Sequence, residues 1–375
     1  MKISSDTRFV FVTQDYYPDI GGITTWVYEL ARHLRAAGFA VLVITKSFDG
    51  FAGNEPTDLP TVRLEHDRWK QKKYSRIKAA LAPLNDGRTI FLCANWKMAV
   101  PCLYLSLLHR IPYFVTIHGL DALEGRFKNR LLQRFTLWRA AGVLPVSHYT
   151  KDLLDMPKLK RTGRVQVLAN GVDTDRFRKL PRNEAIETKY GIGPGIRILN
   201  IGRLIERKGF DMTIRALALI DDPAVNFYIG GTGPYEDALR ALAINVGVAD
   251  RVHFLGFVDE TDLIDVYNAA DIFCMPSREL PYQVEGFGIT YLEAAACGVP
   301  SIGGLRSGAQ DAIVDGKTGL LVDPESPESI AGAIRRLTTD KSLREILGAA
   351  ALERVRQELT WKAAVDRLLG IIQQA

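Results

Sequence analysis

Short, uninterrupted apolar runs punctuate this chain, with amphipathic segments between them. Phe9–Thr13, Ala40–Ile44, Thr89–Cys93, Tyr113–Ile117, Gly142–Val146 and Val165–Leu168 form a first series. Ile196–Ile201, Asn226–Gly230, Val252–Leu255, Ile272–Met275, Val299–Ile302 and Gly319–Val322 form a second. Such runs show no polar alternation, so both faces of each strand must be covered, which points to parallel sheets flanked by helices. Thr24–Ala37 illustrates the intervening segments: Trp26, Leu30 and Leu34 share one helical stripe and Gly38 ends it. Between the two series, Leu180-Pro181-Arg182-Asn183 and Gly191–Gly195 are rich in turn formers and predict a linker. The fold class is therefore α/β, with two doubly wound, Rossmann-like domains expected to face each other across a cleft. The expected domains cover residues 1–180 and 195–360, with the amphipathic segment 361–375 packing back on the first.

Composition suits two such cores, since 47% of the 375 residues are hydrophobic and 24% charged. No apolar run approaches the roughly 18–20 residues that span a bilayer. Met1–Asp6 leads straight into a strand-like run, so a cleaved signal peptide is not expected. Cys93, Cys102, Cys274 and Cys297 form neither a CxxC pair nor a zinc-ligand spacing, and read as buried thiols of a cytoplasmic protein. The net charge of +5 is unevenly divided. Residues 1–180 hold 28 Lys and Arg against 16 Asp and Glu, a net +12; the remainder holds 20 against 27, a net −7. A basic first half points to an anionic partner, either a phosphate-bearing acceptor or an anionic membrane surface, with nucleic acid not expected. Two stretches stand out: Arg68–Tyr74 with Arg76 and Lys78, and Phe127, Leu131, Leu132, Phe135 and Trp138 interleaved with Arg126, Lys128, Arg130, Arg134 and Arg139. The default expectation is that the second stripe packs into the core with its charges solvated. The alternative is peripheral binding to anionic lipid.

Val284–Ala294 carries the densest chemistry. Glu285 and Glu293 stand eight apart, with Gly286 and Gly288 after the first and a helix, predicted to start near Phe287, leading to the second. The glycines let backbone amides approach a ligand, and a helix start offers free N–H groups to a phosphate. That start puts Glu293 about two turns inside the helix, so the carboxylates can meet opposite ends of one ligand. Ile201–Gly209 follows the first strand of the second series, where open α/β sheets bind ligands. Arg203 and Lys208 are predicted to converge there on a diphosphate, one as a planar fork and the other as a point charge. In the first half, Gly21 and Gly22 open a helix and suit either close backbone approach to a substrate or a plain tight turn. His118 stands at the carboxyl end of a strand run, facing the expected cleft. Gly231-Thr232-Gly233 is an incomplete fingerprint, without a third glycine or a ribose-binding acid at the usual distance.

These motifs resemble the retaining glycosyltransferases of the GT-B fold, in the large glycosyltransferase family 4 (glycosyl transferases group 1). The resemblance runs through Gly21-Gly22-Ile23, His118-Gly119, Asn170–Asp173, Gly202–Gly209, Gly230–Pro234, Glu285–Glu293 and Thr318–Val322, nearly the whole chain. Met275–Gly303 is similar to bacterial mannosyltransferases acting on phosphatidylinositol mannosides. The resemblance implies transfer of a hexosyl group from GDP-mannose or a UDP-sugar to a lipid-linked or polysaccharide acceptor, with anomeric retention and no metal ion or other cofactor. It implies that Arg203 and Lys208 hold the donor diphosphate, Glu285 the transferred sugar and Glu293 the ribose hydroxyls. Amides around Phe287, Gly288 and Ile289 would contact sugar and phosphate, and the backbone around Val258 would read the base. His118 would lie near the sugar 6-hydroxyl, and Gly22, beside Gly21, along the diphosphate. The expected location is cytoplasmic, peripheral on the inner face of a membrane if the lipid reading holds. Many relatives that use GDP-mannose carry Lys or Arg where His253 stands and Arg where Phe257 stands, which weakens the case for guanine and leaves UDP-sugars open. Asp173-Thr174-Asp175 matches the metal-binding DxD of other glycosyltransferases, but sits in a turn with nothing nearby to complete a metal shell. Nucleotide-sugar epimerases, hydrolases and non-catalytic sugar-nucleotide-binding subunits are the alternatives on this fold. The presence of His118, Arg203, Lys208 and Glu285 together favours an active transferase.

Overall fold

The computed structural model describes residues 3–375 except 50, 52, 54–56, 66–68, 85–86, 110–111, 123–126 and 282. The chain forms two compact units, Met1–Asn170 with Trp361–Ala375, and Gly171–Thr360. In the first, β1 (Arg8–Val12), β2 (Ala40–Lys46), β3 (Thr61–Leu64), β4 (Thr89–Cys93), β5 (Tyr113–Ile117) and β6 (Gly142–Pro145) make one parallel sheet in the order β3-β2-β1-β4-β5-β6. Phe11 of β1 pairs with Val43 on one side and Leu92 on the other. The strand order reverses between β1 and β4, the topological switch point of a doubly wound sheet. Every residue of β4 and β5 is buried, which is why their sequences are unbroken apolar runs. The same logic hides β3, an edge strand whose Thr61-Val62-Arg63-Leu64 is largely half-exposed and needs no apolar run. Val165–Leu168 is not a strand as expected. It runs beside β6 with a single bridge at Val143 and Val165, and its Gln166 and Leu168 amides donate to the Val143 and Pro145 carbonyls.

The Gly22–Ala36 helix buries Trp26, Leu30 and Leu34 and packs against the C-terminal helix Trp361–Gln374, which buries Trp361, Leu368 and Ile372. The Phe127–Arg139 helix departs from the expected core stripe. Leu132 and Leu137 pack against the core, but Leu131, Phe135 and Trp138, at i, i+4 and i+7, share an outer face. Arg68 and Arg126 of the two basic stretches lie outside the described residues.

The second unit repeats the plan with β7 (Ile196–Ile201), β8 (Val225–Gly230), β9 (Val252–Gly256), β10 (Ile272–Met275), β11 (Ser301–Gly304) and β12 (Gly319–Val322). They are all parallel, in the order β12-β11-β10-β7-β8-β9. β11 starts two residues later than the apolar run predicts, because Pro300 has no N–H to give a ladder. Residues 178–195 are not a linker between the expected domains, and the division falls at Asn170 and Gly171. The turn-rich stretch is tied into the second unit: the Leu180 amide donates to Asn268 Oδ1 at 2.7 Å and Arg182 pairs with Asp271 at 2.9 Å. Turn formers mark where the chain bends, and here the bends remain packed. The four cysteines are buried free thiols. Among the described residues no helix is long and apolar enough to cross a membrane.

Candidate active site

β7 and β10 flank the switch point of the second sheet, and the loops leaving their carboxyl ends carry a charged cluster. After β7 the chain passes Gly202, makes a single 3-10 turn at Glu206–Lys208 and enters the Phe210–Ala218 helix at Gly209. Gly209 has φ 72°, and a Cβ there would sit 2.3 Å from the Pro276 carbonyl oxygen. Only glycine satisfies both demands, so the two loops lie backbone against backbone. This brings Lys208 Nζ to 2.7 Å from Glu285 Oε2 and 3.4 Å from Met275 Sδ. Arg207 Nη1 donates to the same carboxylate oxygen. Burial alone would raise the Glu285 carboxyl, but Lys208 and Arg207 together hold it down to about 2. Burial also works against the Lys208 charge and lowers its ammonium. With two cations on one carboxylate, the ion pair is the state the geometry supports, and the trio keeps one positive charge in excess.

The helix after Glu285 is Ile289–Ala296, capped by Gly288 at φ 88°, two residues later than predicted. Glu285 precedes it, and Glu293 lies one turn inside rather than two. Gly308 backs the turn: its amide donates to the Glu285 carbonyl at 2.9 Å, and a Cβ on it would sit 2.2 Å from the Gly286 oxygen. The Phe287 and Gly288 amides have no hydrogen-bond acceptor among the described residues. Together with the start of the Ile289–Ala296 helix they form a small set of anion-ready donors. Glu293 Oε2 accepts from the Tyr267 hydroxyl at 2.6 Å, and burial raises both groups.

Other sequence expectations find their places elsewhere in the second unit. Arg203 is exposed and has no ion pair or hydrogen bond among the described residues, so the structure brings Arg207, not Arg203, to the Lys208–Glu285 pair. Gly231 and Gly233 serve packing: a Cβ on either would sit 2.1 Å or 2.4 Å from the Gly202 or Leu204 carbonyl oxygen, respectively. Buried Val258 and exposed Phe257 follow β9 at its carboxyl end. His253 is at the opposite end of that strand, stacked on Tyr228 at 4.7 Å and bonded to Asn226, in the wall of a separate pocket of about 510 Å³. The departure at His253 thus lies away from the loop that contains Val258. Asp173 Oδ1 accepts from the Asp175 and Arg176 amides and caps a turn. No three His, Cys, Asp or Glu side chains gather as metal ligands among the described residues.

In the first unit, His118 leaves the carboxyl end of β5. Its ring meets Trp26 edge-on at 5.3 Å, and Nε2 is buried without a partner. Burial holds the imidazole down to about 3, so it is neutral at physiological pH. Asp121 Oδ1 accepts from the His118 and Gly119 amides at 2.8 and 2.9 Å and fixes the turn that aims the ring. Burial raises the Asp121 carboxyl to about 7 against those bonds. Gly21 and Gly22 are exposed, and a Cβ on either would meet nothing within 4 Å. Sequence reasoning overlooked Arg207, Asp121 and Tyr267. The unbroken Glu-Arg-Lys run and the three-residue step from His118 to Asp121 were available signals, whereas nothing local marks Tyr267.

The family described as "Glycosyltransferase Family 4" matches residues 20–176 and "Glycosyl transferases group 1" matches residues 183–354. The chain is 38% identical to the GDP-mannose-dependent alpha-(1-6)-phosphatidylinositol monomannoside mannosyltransferase of Mycobacterium tuberculosis, over 98% of each chain. It superposes on the sucrose-phosphate synthase from Thermosynechococcus elongatus with a TM-score of 0.83 at 23% identity, covering 98% of both chains. It superposes on Anabaena HepE in complex with UDP-glucose with a TM-score of 0.82 at 20% identity, covering 98% of this chain and 100% of that one. Two Rossmann-like sheets of the same strand order, both halves matched, and the full-length identity lead to one assignment: the chain belongs to glycosyltransferase family 4 and is a glycosyltransferase of the GT-B fold.

Proposed function

We propose that this protein transfers a hexose, with mannose tested first, from a nucleotide diphosphate sugar to a lipid-linked or glycan acceptor, with anomeric retention and without a metal ion. The observation that carries this is the pairing of Arg207 and Lys208 on Glu285 beside the unpartnered Phe287 and Gly288 amides. Fixed positive groups next to a departing diphosphate stabilise the charge that develops there. In this reading Lys208, Arg207 and the unpaired Arg203 serve the diphosphate, and ionised Glu285 accepts hydrogen bonds from sugar hydroxyls. Glu293 takes the ribose, and the Val258 backbone the base. GDP-mannose comes first because the 38% relative is named for it. The test is nucleotide release from GDP-mannose, UDP-glucose, UDP-GlcNAc and UDP-galactose, with and without a phosphatidylinositol mannoside acceptor. Expected is acceptor-dependent GDP release that survives EDTA and gives an α-linked product by NMR. An inverted linkage, strict manganese dependence, or epimerised donor without transfer would each overturn the corresponding part.

The acceptor is placed at an anionic membrane surface in this proposal. Tyr104 and Leu107 on the Trp96–His109 helix, and Leu131, Phe135 and Trp138 on the neighbouring Phe127–Arg139 helix, are each between 43% and 55% exposed. The remaining exposed large hydrophobics are spread over separate elements. Arg130 and Arg134 share a single acid, Asp155, at 2.7 and 3.6 Å, so the face stays net positive. Each basic residue near an anionic surface contributes about 1 kcal/mol, and interfacial aromatics add apolar area. The protein should sediment with phosphatidylglycerol-containing liposomes in a salt-sensitive way and not with phosphatidylcholine alone. Arg130→Gln with Arg134→Gln should weaken that binding about tenfold or more. No preference for anionic liposomes in the parent protein would sink the membrane reading.

A further inference from the structure

Six consecutive residues, Glu206-Arg207-Lys208-Gly209-Phe210-Asp211, place two acids within reach of the two cations that hold Glu285. Glu206 adjoins Arg207 on the 3-10 turn and Asp211 stands three residues after Lys208, so both acids are candidate partners for these cations. The structure shows a different pairing. Arg278, on the loop after β10, donates from Nη1 and Nη2 to the two Asp211 oxygens at 3.1 and 3.0 Å, and from Nη2 to Glu206 Oε1 at 3.1 Å. Its own amide donates to the Arg207 carbonyl at 2.9 Å, fastening the 3-10 turn to the loop that leads to Glu285. Arg278 and Asp211 are each 7% exposed, so this is a buried bidentate pair, for which a guanidinium fork is suited and an ammonium is not. Asp211 also lies in the first turn of the Phe210–Ala218 helix, where a carboxylate is held by the free amides and the helix dipole. Arg278 thus takes both acids of the segment, and Arg207 and Lys208 turn the other way, to Glu285.

We infer that Arg278 is a positioning residue that sorts the charges of this loop, holding Glu206 and Asp211 away from Arg207 and Lys208 so that both cations stay directed at the donor diphosphate. It need not touch the ligand to do this. The inference rests on the diphosphate reading of the Arg207–Lys208 pair given above. It deepens that reading by naming what keeps the pair available.

The test compares nucleoside diphosphate with nucleoside monophosphate binding by calorimetry, using GDP and GMP, and UDP and UMP, on the full chain. A charge-sorting role predicts that Arg278→Gln weakens diphosphate binding on the order of tenfold or more while monophosphate binding changes much less, because freed acids capture the cations facing the diphosphate. Adding Glu206→Gln and Asp211→Asn to Arg278→Gln removes the acids and should restore the parental diphosphate preference. A role in packing alone predicts no such rescue of the preference. Unchanged diphosphate binding in folded Arg278→Gln, or a folded triple variant whose preference stays lost, overturns the inference. If Arg278→Gln does not fold, Arg278→Gln with Asp211→Asn carries the test: it leaves no buried carboxylate unpaired but still frees Glu206, so the diphosphate preference must fall several-fold, and an unchanged preference overturns the inference. A parent protein that binds neither GDP nor UDP would instead bring down the diphosphate reading, and this inference with it.

Discussion

Lys208→Ala is expected to lower kcat by ~100–1000-fold, about 2.7–4 kcal/mol of transition-state stabilisation, with little loss of fold. Two features separate these effects. Lys208 is buried against Glu285 and Met275, so its charge sits in a site of low dielectric, where it acts more strongly on a departing phosphate than a solvated lysine could. Its removal also leaves Glu285 paired with Arg207, so no buried carboxylate is stranded. Steady-state transfer assays with thermal melts of the same preparation check both halves, and turnover within a few-fold of the parent would refute the diphosphate assignment. Arg203→Ala is a cleaner companion. Because Arg203 has no partner among the described residues, lost turnover in that variant reports on ligand alone. The acid limb follows from the same cluster. Glu285 has a folded value of about 2 against a usual 4.5, so the stability it contributes is complete above about pH 4.5 and is lost as the pH falls towards 2. Lys208→Ala should make that limb shallower in pH-dependent unfolding.

How much of this could be read from residues alone depended on whether the cause was local. β4 and β5 were legible because burial on both faces leaves an unbroken apolar run, while β3, half-exposed at an edge, leaves no such trace. Turn-rich 178–195 looked like a linker since Gly and Pro report bending, whereas its bonds to Asn268 and Asp271 are some 90 residues away and invisible locally. Glu285, Glu293 and Lys208 could be singled out because they flank a strand end and a helix start; their roles toward a donor belong to the proposal above. Which cation would meet Glu285 was not legible. Arg203 stands out by its place after the strand, yet Arg207 is the one paired with Glu285, on a turn held against Pro276 by Gly209 and bonded through Arg278. Similarly, the Leu131–Phe135–Trp138 stripe has the period of a core face, yet Leu132 and Leu137 are the residues that pack inward.

Gly308→Ala is expected to cost at least about 100-fold in kcat/KM, the scale on which a displacement near 1 Å acts on a reacting geometry. The position does not need glycine for its dihedrals, since φ −62° and ψ −8° suit alanine. It needs the space. An alanine Cβ would stand 2.2 Å from the Gly286 oxygen, 2.3 Å from its carbonyl carbon and 2.5 Å from the Phe287 nitrogen. All three are backbone atoms, so no side chain can rotate away, and the turn that presents Glu285 and the Phe287 and Gly288 amides must move as a unit. Overpacking of this kind typically destabilises by about 1–3 kcal/mol, so a lowered melting temperature should accompany the kinetic loss. Gly332→Ala supplies the control. That glycine is exposed within the Pro327–Thr339 helix, its Cβ would meet nothing within 4 Å, and replacing it should stabilise by roughly 0.5–1 kcal/mol without altering transfer. The decisive measurement is donor kcat/KM for Gly308→Ala at a temperature where melts show it fully folded. Parental kcat/KM there would mean that the turn tolerates the shift, and the free amides would lose their place in the proposed donor site.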